Sequence, residues 1–107
     1  MEIVTSAQVL EQRIQTVPIL ILLYGSRSCR PCGAICRKLK AWEAGHPGIA
    51  CLYLPIESLP QAAAQAGIFT VPTLLVYVEG KPSIRESGCF SLQHILSKVE
   101  FYLSYLT

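Results

Sequence analysis

"VPILILLYGSRSCRPCGAICRKL", Val17 to Leu39, joins an unbroken apolar run to a cysteine pair at the entry to a helix. The run from Val17 to Tyr24, with Pro18 at its start and Gly25 at its end, reads as a strand buried on both faces. Such strands belong to partly parallel sheets covered by helices. From Pro31 to Ala44 the period changes, and Cys32, Ile35, Cys36, Leu39 and Trp42 form one helical stripe with Arg37, Lys38 and Lys40 off it. Gly45 follows as a C-terminal cap. Cys29 and Cys32 thus fall just past the carboxyl end of a strand, where open α/β sheets carry their sites.

On either side of this unit the pattern repeats. Glu2 to Val4 makes a short strand, and Thr5 with Gln8 predicts a capping box opening a helix through Val9, Leu10 and Ile14. Ile49 to Ile56 reads as a second buried strand. Ser58 with Gln61, around Pro60, predicts another capping box before an alanine-rich helix closed by Gly67. Thr73 to Val78 and Ser83 to Glu86 are strands joined by a turn at Gly80. Beyond Ser91, Leu92, Ile95, Leu96, Val99, Leu103 and Leu106 fit an amphipathic helix. The order β-α-β-α-β-α-β-β-α is that of a three-layer α/β sandwich, expected to be one domain over residues 1–107.

Composition excludes several function classes. Of 107 residues 51% are hydrophobic and 15% charged, which argues for a packed core rather than disorder. A formal charge of +2 gives nucleic-acid binding no support. The longest apolar run is far short of the ~20 residues of a membrane helix. The N-terminus has no basic segment followed by an apolar one, so a cytoplasmic location is expected. Five cysteines, an odd number, need no disulfide framework in a reducing compartment.

The spacing of Cys29 and Cys32 suits redox chemistry. One helical turn brings their Cα atoms within the ~4.4–6.8 Å that a disulfide tolerates. One thiolate attacks a substrate disulfide and the second releases the product. Pro31 fits the first helical turn, where a missing N–H costs nothing. Five of the nine basic residues lie between Arg27 and Lys40, with no acid among them. Together with the helix N-terminus they favour a negative sulfur at Cys29. Cys29 is therefore the expected attacking thiolate and Cys32, on the apolar stripe, the resolving thiol.

A metal reading of Cys29, Cys32 and Cys36 is weaker, because sulfurs spread along one helix do not converge tetrahedrally. Cys36 and Cys51 read as small core residues. His46 and His94 read as solvated surface, and the seven acids are all glutamates scattered singly.

"CRPC" after an apolar strand, "TVPT" some forty residues later, and Gly80 and Gly88 beyond it resemble thioredoxin over essentially the whole chain. The resemblance implies a thioredoxin-like α/β/α sandwich with a five-stranded mixed sheet and four helices. It implies a cis Val71–Pro72 bond facing the cysteines, and a substrate strand bound beside Val71, Pro72 and Gly88. It also implies a reductase of protein disulfides working through Cys29 and Cys32, tuned by Arg30 and Pro31. A thioredoxin reductase or other dithiol reductant would regenerate it. No cofactor and no metal are expected. Cys89, beside Gly88, is an accessory candidate for redox modification.

Departures from the family pattern bear on the chemistry. Its buried aspartate is matched by Leu23, the lysine near that aspartate by Tyr53, and the tryptophan before the first cysteine by Ser28. Arg30 stands where glycine is usual and Arg37 where a helix-kinking proline is usual. Without the carboxylate the expectation is a weaker general reductase, since a general base typically contributes a factor of 10²–10⁴. Arg30 is expected to make the disulfide more oxidising. The alternative is a thioredoxin-fold binding module with weak or no reductase activity, one subtype of which bridges an iron–sulfur cluster as a dimer.

Overall fold

The seven residues Ile19–Gly25 are all buried, and the rest of the molecule is arranged around them. The computed structural model describes residues 1–106. Its elements are β1 (Glu2–Ile3), α1 (Ala7–Thr16), β2 (Ile19–Gly25), α2 (Arg30–Ala44), β3 (Ile49–Pro55), α3 (Pro60–Gln65), β4 (Thr73–Val78), β5 (Lys81–Ser87) and α4 (Leu92–Leu106). The sheet order is β1-β3-β2-β4-β5. Strands β1, β3 and β2 run parallel, while β4 is antiparallel to β2 and β5 to β4. This is the expected five-stranded mixed sheet with four helices.

Alternation along β2 divides the core in two. Ile19, Ile21 and Leu23 pack with Leu39 of α2 and Ile95, Leu96 and Val99 of α4. Leu20, Leu22 and Tyr24 pack on the other face with Leu10 of α1 and Ala63 of α3. A strand sandwiched this way has no solvent face, which is why its sequence shows no polar alternation. Each buried Leu, Ile or Val among them contributes about 1.5–3 kcal/mol by leaving water. The layer assignment made from the element order holds.

Two predicted capping boxes do not form. Helix α1 is capped by Ser6, whose Oγ accepts the Val9 N–H at 3.4 Å, and not by Thr5 with Gln8. The cause lies one residue upstream, where Val4 N–H still donates to Tyr53 C=O at 2.8 Å, so the chain leaves the sheet too late for Thr5 to cap. At α3 Ser58 is used in a turn, its N–H donating to Pro55 C=O. Leu59 takes the cap position with no side-chain hydrogen bond, and Pro60 opens the helix without needing an N–H partner. The helix ends at Gln65, two residues before Gly67.

Strand β5 extends beyond the predicted Ser83–Glu86 because the turn is tighter than the sequence pattern suggested. Val78 pairs with Lys81, leaving Glu79 and Gly80 alone in the loop. Both have positive φ, 52° and 81°, as a two-residue hairpin turn of the primed type requires. Glycine meets that demand without strain at the second position.

Candidate active site

Cys29 is the N-cap of α2, in extended backbone (φ −87°, ψ 102°), with Pro31 in the first turn. No side chain satisfies the free N–H groups at this helix start, so an acceptor on residue 29 faces the positive end of the helix. Cys29 and Cys32 are joined by a disulfide with Cα atoms 5.4 Å apart. Their environments differ. Cys29 is half-buried, whereas Cys32 is only 1% exposed. Arg27, Arg30 and Pro31 around them are exposed.

The loop before Cys29 is tied down from two directions. Cys29 N–H donates to Ser26 C=O at 3.2 Å. Arg27 N–H donates to the Glu57 carboxylate at 2.9 Å across 30 residues of sequence. That backbone hydrogen bond is the main cause holding the Glu57 carboxyl below its usual value. Nothing in the local sequence marked Glu57 for this role, since it lies in the segment after β3 and meets the loop only through the fold.

The predicted substrate-facing residues are brought together at the same end of the sheet. Val71–Pro72 is a cis peptide bond. Tyr24 pairs with Thr73, so the proline enters β4 at the end of β2 that leads into the cysteine loop. Gly88 N–H donates to Pro72 C=O at 2.9 Å. Thr73 Oγ1 bonds both Thr70 C=O and Ser87 Oγ, the latter at 2.9 Å, so the segments on either side of the proline are braced. Val71 is half-buried, and Cys89, next to Gly88, is exposed.

Behind the disulfide lies a close packing that the sequence pattern did not foretell. Gly25 has no room for a side chain. A Cβ there would stand 2.6 Å from Tyr53 Cε1, 2.7 Å from the Tyr53 hydroxyl and 3.0 Å from Cys32 Sγ. Tyr53 is paired with Leu23 across β2–β3, and its ring therefore closes over the end of β2 beside the buried sulfur. Leu23 is fully buried in the apolar cluster. No carboxylate takes the place the family gives to its buried aspartate.

The remaining cysteines and histidines fall into place around this. Cys51 is buried, its thiol pushed up to about 12 chiefly by burial. Cys36 is only half-buried, and burial raises its thiol too. Among the described residues no three His, Cys, Asp or Glu side chains are grouped to hold a metal ion. His46 is not plain solvated surface as expected. Its ring stacks on Trp42 at 3.8 Å, Nδ1 bonds Trp42 C=O at 2.8 Å and Nε2 bonds Glu100 at 2.9 Å.

Comparison with known proteins gives one consistent picture. The chain is 35% identical over 60 residues to a thioredoxin of Chlamydia muridarum, a match spanning 56% of this chain and 59% of that protein. To a thioredoxin of Chlamydia trachomatis it is 29% identical over 70 residues, 65% of this chain and 69% of that one. No family model matches. Among solved structures, Plasmodium falciparum thioredoxin superposes with a TM-score of 0.85 at 19% identity, covering 95% of this chain and 99% of the other. Fasciola hepatica thioredoxin gives 0.84 at 21% identity with the same coverage. At these identities the structural likeness establishes the fold.

Proposed function

The chain is a thioredoxin-like family protein, and from that premise we propose that it is a thiol–disulfide oxidoreductase that reduces protein disulfides through a Cys29-Arg30-Pro31-Cys32 cycle. The observation that carries the reading is the asymmetry of the joined pair: one sulfur half-buried at a helix N-terminus, the other enclosed behind it. In the reduced protein the Cys29 thiolate takes the N-cap position, where it accepts helix N–H groups as a serine or aspartate does. The helix N-terminus favours the negative sulfur and so keeps it a nucleophile.

The Cys29 sulfur attacks one sulfur of a substrate disulfide, forming a mixed disulfide and expelling the first substrate thiolate. Cys32 then loses its proton and attacks Cys29 Sγ, which releases the second thiolate and restores the Cys29–Cys32 bond. The substrate backbone lies against Val71, Pro72 and Gly88 in this reading, as an added strand. A thioredoxin reductase or another dithiol donor returns two electrons to the pair. The site works in the cytoplasm as part of one domain of residues 1–107. No helix among the described residues is long and apolar enough to cross a membrane.

With Leu23 where a carboxylate would draw off the Cys32 proton, the second step is slower than in relatives that have one. That same substitution favours the second reading, a binding module of the same fold with little turnover. Reduction of insulin driven by dithiothreitol separates the two. Activity in the wild type that is lost in Cys29→Ser supports the reductase. Equal rates for wild type, Cys29→Ser and buffer would replace it with the binding module.

A further inference from the structure

Resolution of the mixed disulfide demands a thiolate at Cys32, a residue with 1% exposure whose sulfur lies against Gly25 at the end of β2. Burial disfavours that negative charge. The Tyr53 hydroxyl borders the same space as Cys32 Sγ, the two lying 2.7 Å and 3.0 Å from the point where a Gly25 Cβ would stand. Glycine at position 25 leaves that space open between them, and in the disulfide form the two make no hydrogen bond across it. We propose that the Tyr53 hydroxyl is the hydrogen-bond donor that stabilises the Cys32 thiolate as it forms, and so sets how fast the mixed disulfide is resolved. This rests on the reductase reading and concerns its second half.

The chemistry assigns Tyr53 a donor's part and not a base's. Burial, with the nearby Cys36 and Glu57, raises its phenol above the usual value, so the O–H keeps its proton at neutral pH. In the step itself the Cys32 S–H bond breaks and the Cys32–Cys29 S–S bond forms. The bond from Cys29 to the substrate sulfur breaks, and the departing substrate thiolate or water takes up the proton. The cysteine pair loses two electrons and the substrate disulfide gains them. Tyr53 gives only a hydrogen bond to the sulfur on which charge develops, and hydrogen bonds to charged groups are the stronger kind.

The other groups that bear on this pair are few. Tyr53 also lines an open cavity of about 340 Å³ with Met1, Ile3, Cys36, Arg37 and Lys40. The Met1 ammonium there is held by Glu43 at 2.6 Å. Cys36, Arg37 and Lys40 of α2, Glu57 beyond β3 and this ammonium are the charged or titratable neighbours. Arg37 and Lys40 are exposed on α2.

The experiment is a titration of the Cys32 thiol by thiolate absorbance in a Cys29→Ser background, with Tyr53 intact or changed. Tyr53→Phe, which loses only one oxygen, is expected to raise the Cys32 pKa by about one unit. Tyr53→Gln, which keeps a donor without the ring, is expected to titrate closer to the wild type than to Tyr53→Phe. In the two-cysteine protein, Tyr53→Phe should slow single-turnover release of the mixed disulfide about three- to fourfold. The tenfold smaller thiolate fraction is partly offset by a more nucleophilic sulfur. The same Cys32 titration in all three proteins, or a fall in pKa on losing the hydroxyl, overturns the proposal. Because the titration needs no turnover, a shifted pKa without insulin reduction sinks the reductase reading, and with it the kinetic role, but leaves the Tyr53–Cys32 hydrogen bond standing; turnover without a shift sinks the role of Tyr53 alone.

Discussion

At Gly25 even an alanine methyl would meet the Tyr53 side chain at distances real side chains do not adopt, and would press tightly on Cys32 Sγ. Gly25→Ala is therefore expected to push Tyr53 toward its open cavity and to cost about 1–2 kcal/mol in urea unfolding, the low end for overpacking because the ring has somewhere to go. Leu23 poses the opposite problem. It is fully buried between Tyr53 and Leu74 on the neighbouring strands, and Leu23→Asp restores the family's carboxylate without the lysine that usually approaches it. An unpaired buried charge of this kind is expected to cost about 3 kcal/mol or more at neutral pH. Loss of urea stability that recovers on acidification, as the carboxyl takes up its proton, is the measurement that checks it.

Between elements, the His46 clasp ties the loop after α2 to Glu100 of α4 across 54 residues of sequence. Both ring nitrogens face acceptors, so the doubly protonated ring satisfies both. The Trp42 carbonyl, followed by Glu100, raises the His46 pKa above its ordinary value. The folded protein thus holds this proton more tightly than the unfolded chain. The stabilisation is fully present below the unfolded value near 6.5 and is lost as pH rises through the higher folded one. Comparing wild type with His46→Gln, the gap in urea midpoint is expected to be wider at about pH 5.5 than at about pH 8.5. The sequence made the buried strands β2, β3 and β4 and the helices packed on them legible, because their apolar patterns are strong, whereas exposed β5 was read too short. It misplaced the caps of α1 and α3, because which serine is free to cap depends on a hydrogen bond from Val4 to Tyr53 and a turn at Pro55.

Over the whole molecule, oxidation of the site is a crosslink as well as chemistry. The loop that Cys29–Cys32 closes is four residues long, so its chain-entropy contribution is about 2 kcal/mol. Reduction with dithiothreitol is accordingly expected to lower Tm by roughly 8 °C, read by calorimetry of the reduced and oxidised protein side by side. A reduced form that melts no lower would mean that thiolate stabilisation at the α2 N-terminus offsets the lost crosslink. Such a balance would also favour the more oxidising disulfide expected of Arg30.

The cysteine spacing, the buried β2 strand and the helix that follows were determined by the sequence alone, because each is written in contiguous residues whose spacing carries its own geometry. The register of the sheet came only with tertiary structure. It laid Tyr53 over Gly25 at the buried sulfur, set Thr73 opposite Tyr24 just after the cis proline, and brought Glu57 to the backbone of Arg27. These meetings join residues some twenty to fifty positions apart, and what puts them within ångströms is which strand lies beside which, a choice made by packing across the whole core and by no local pattern.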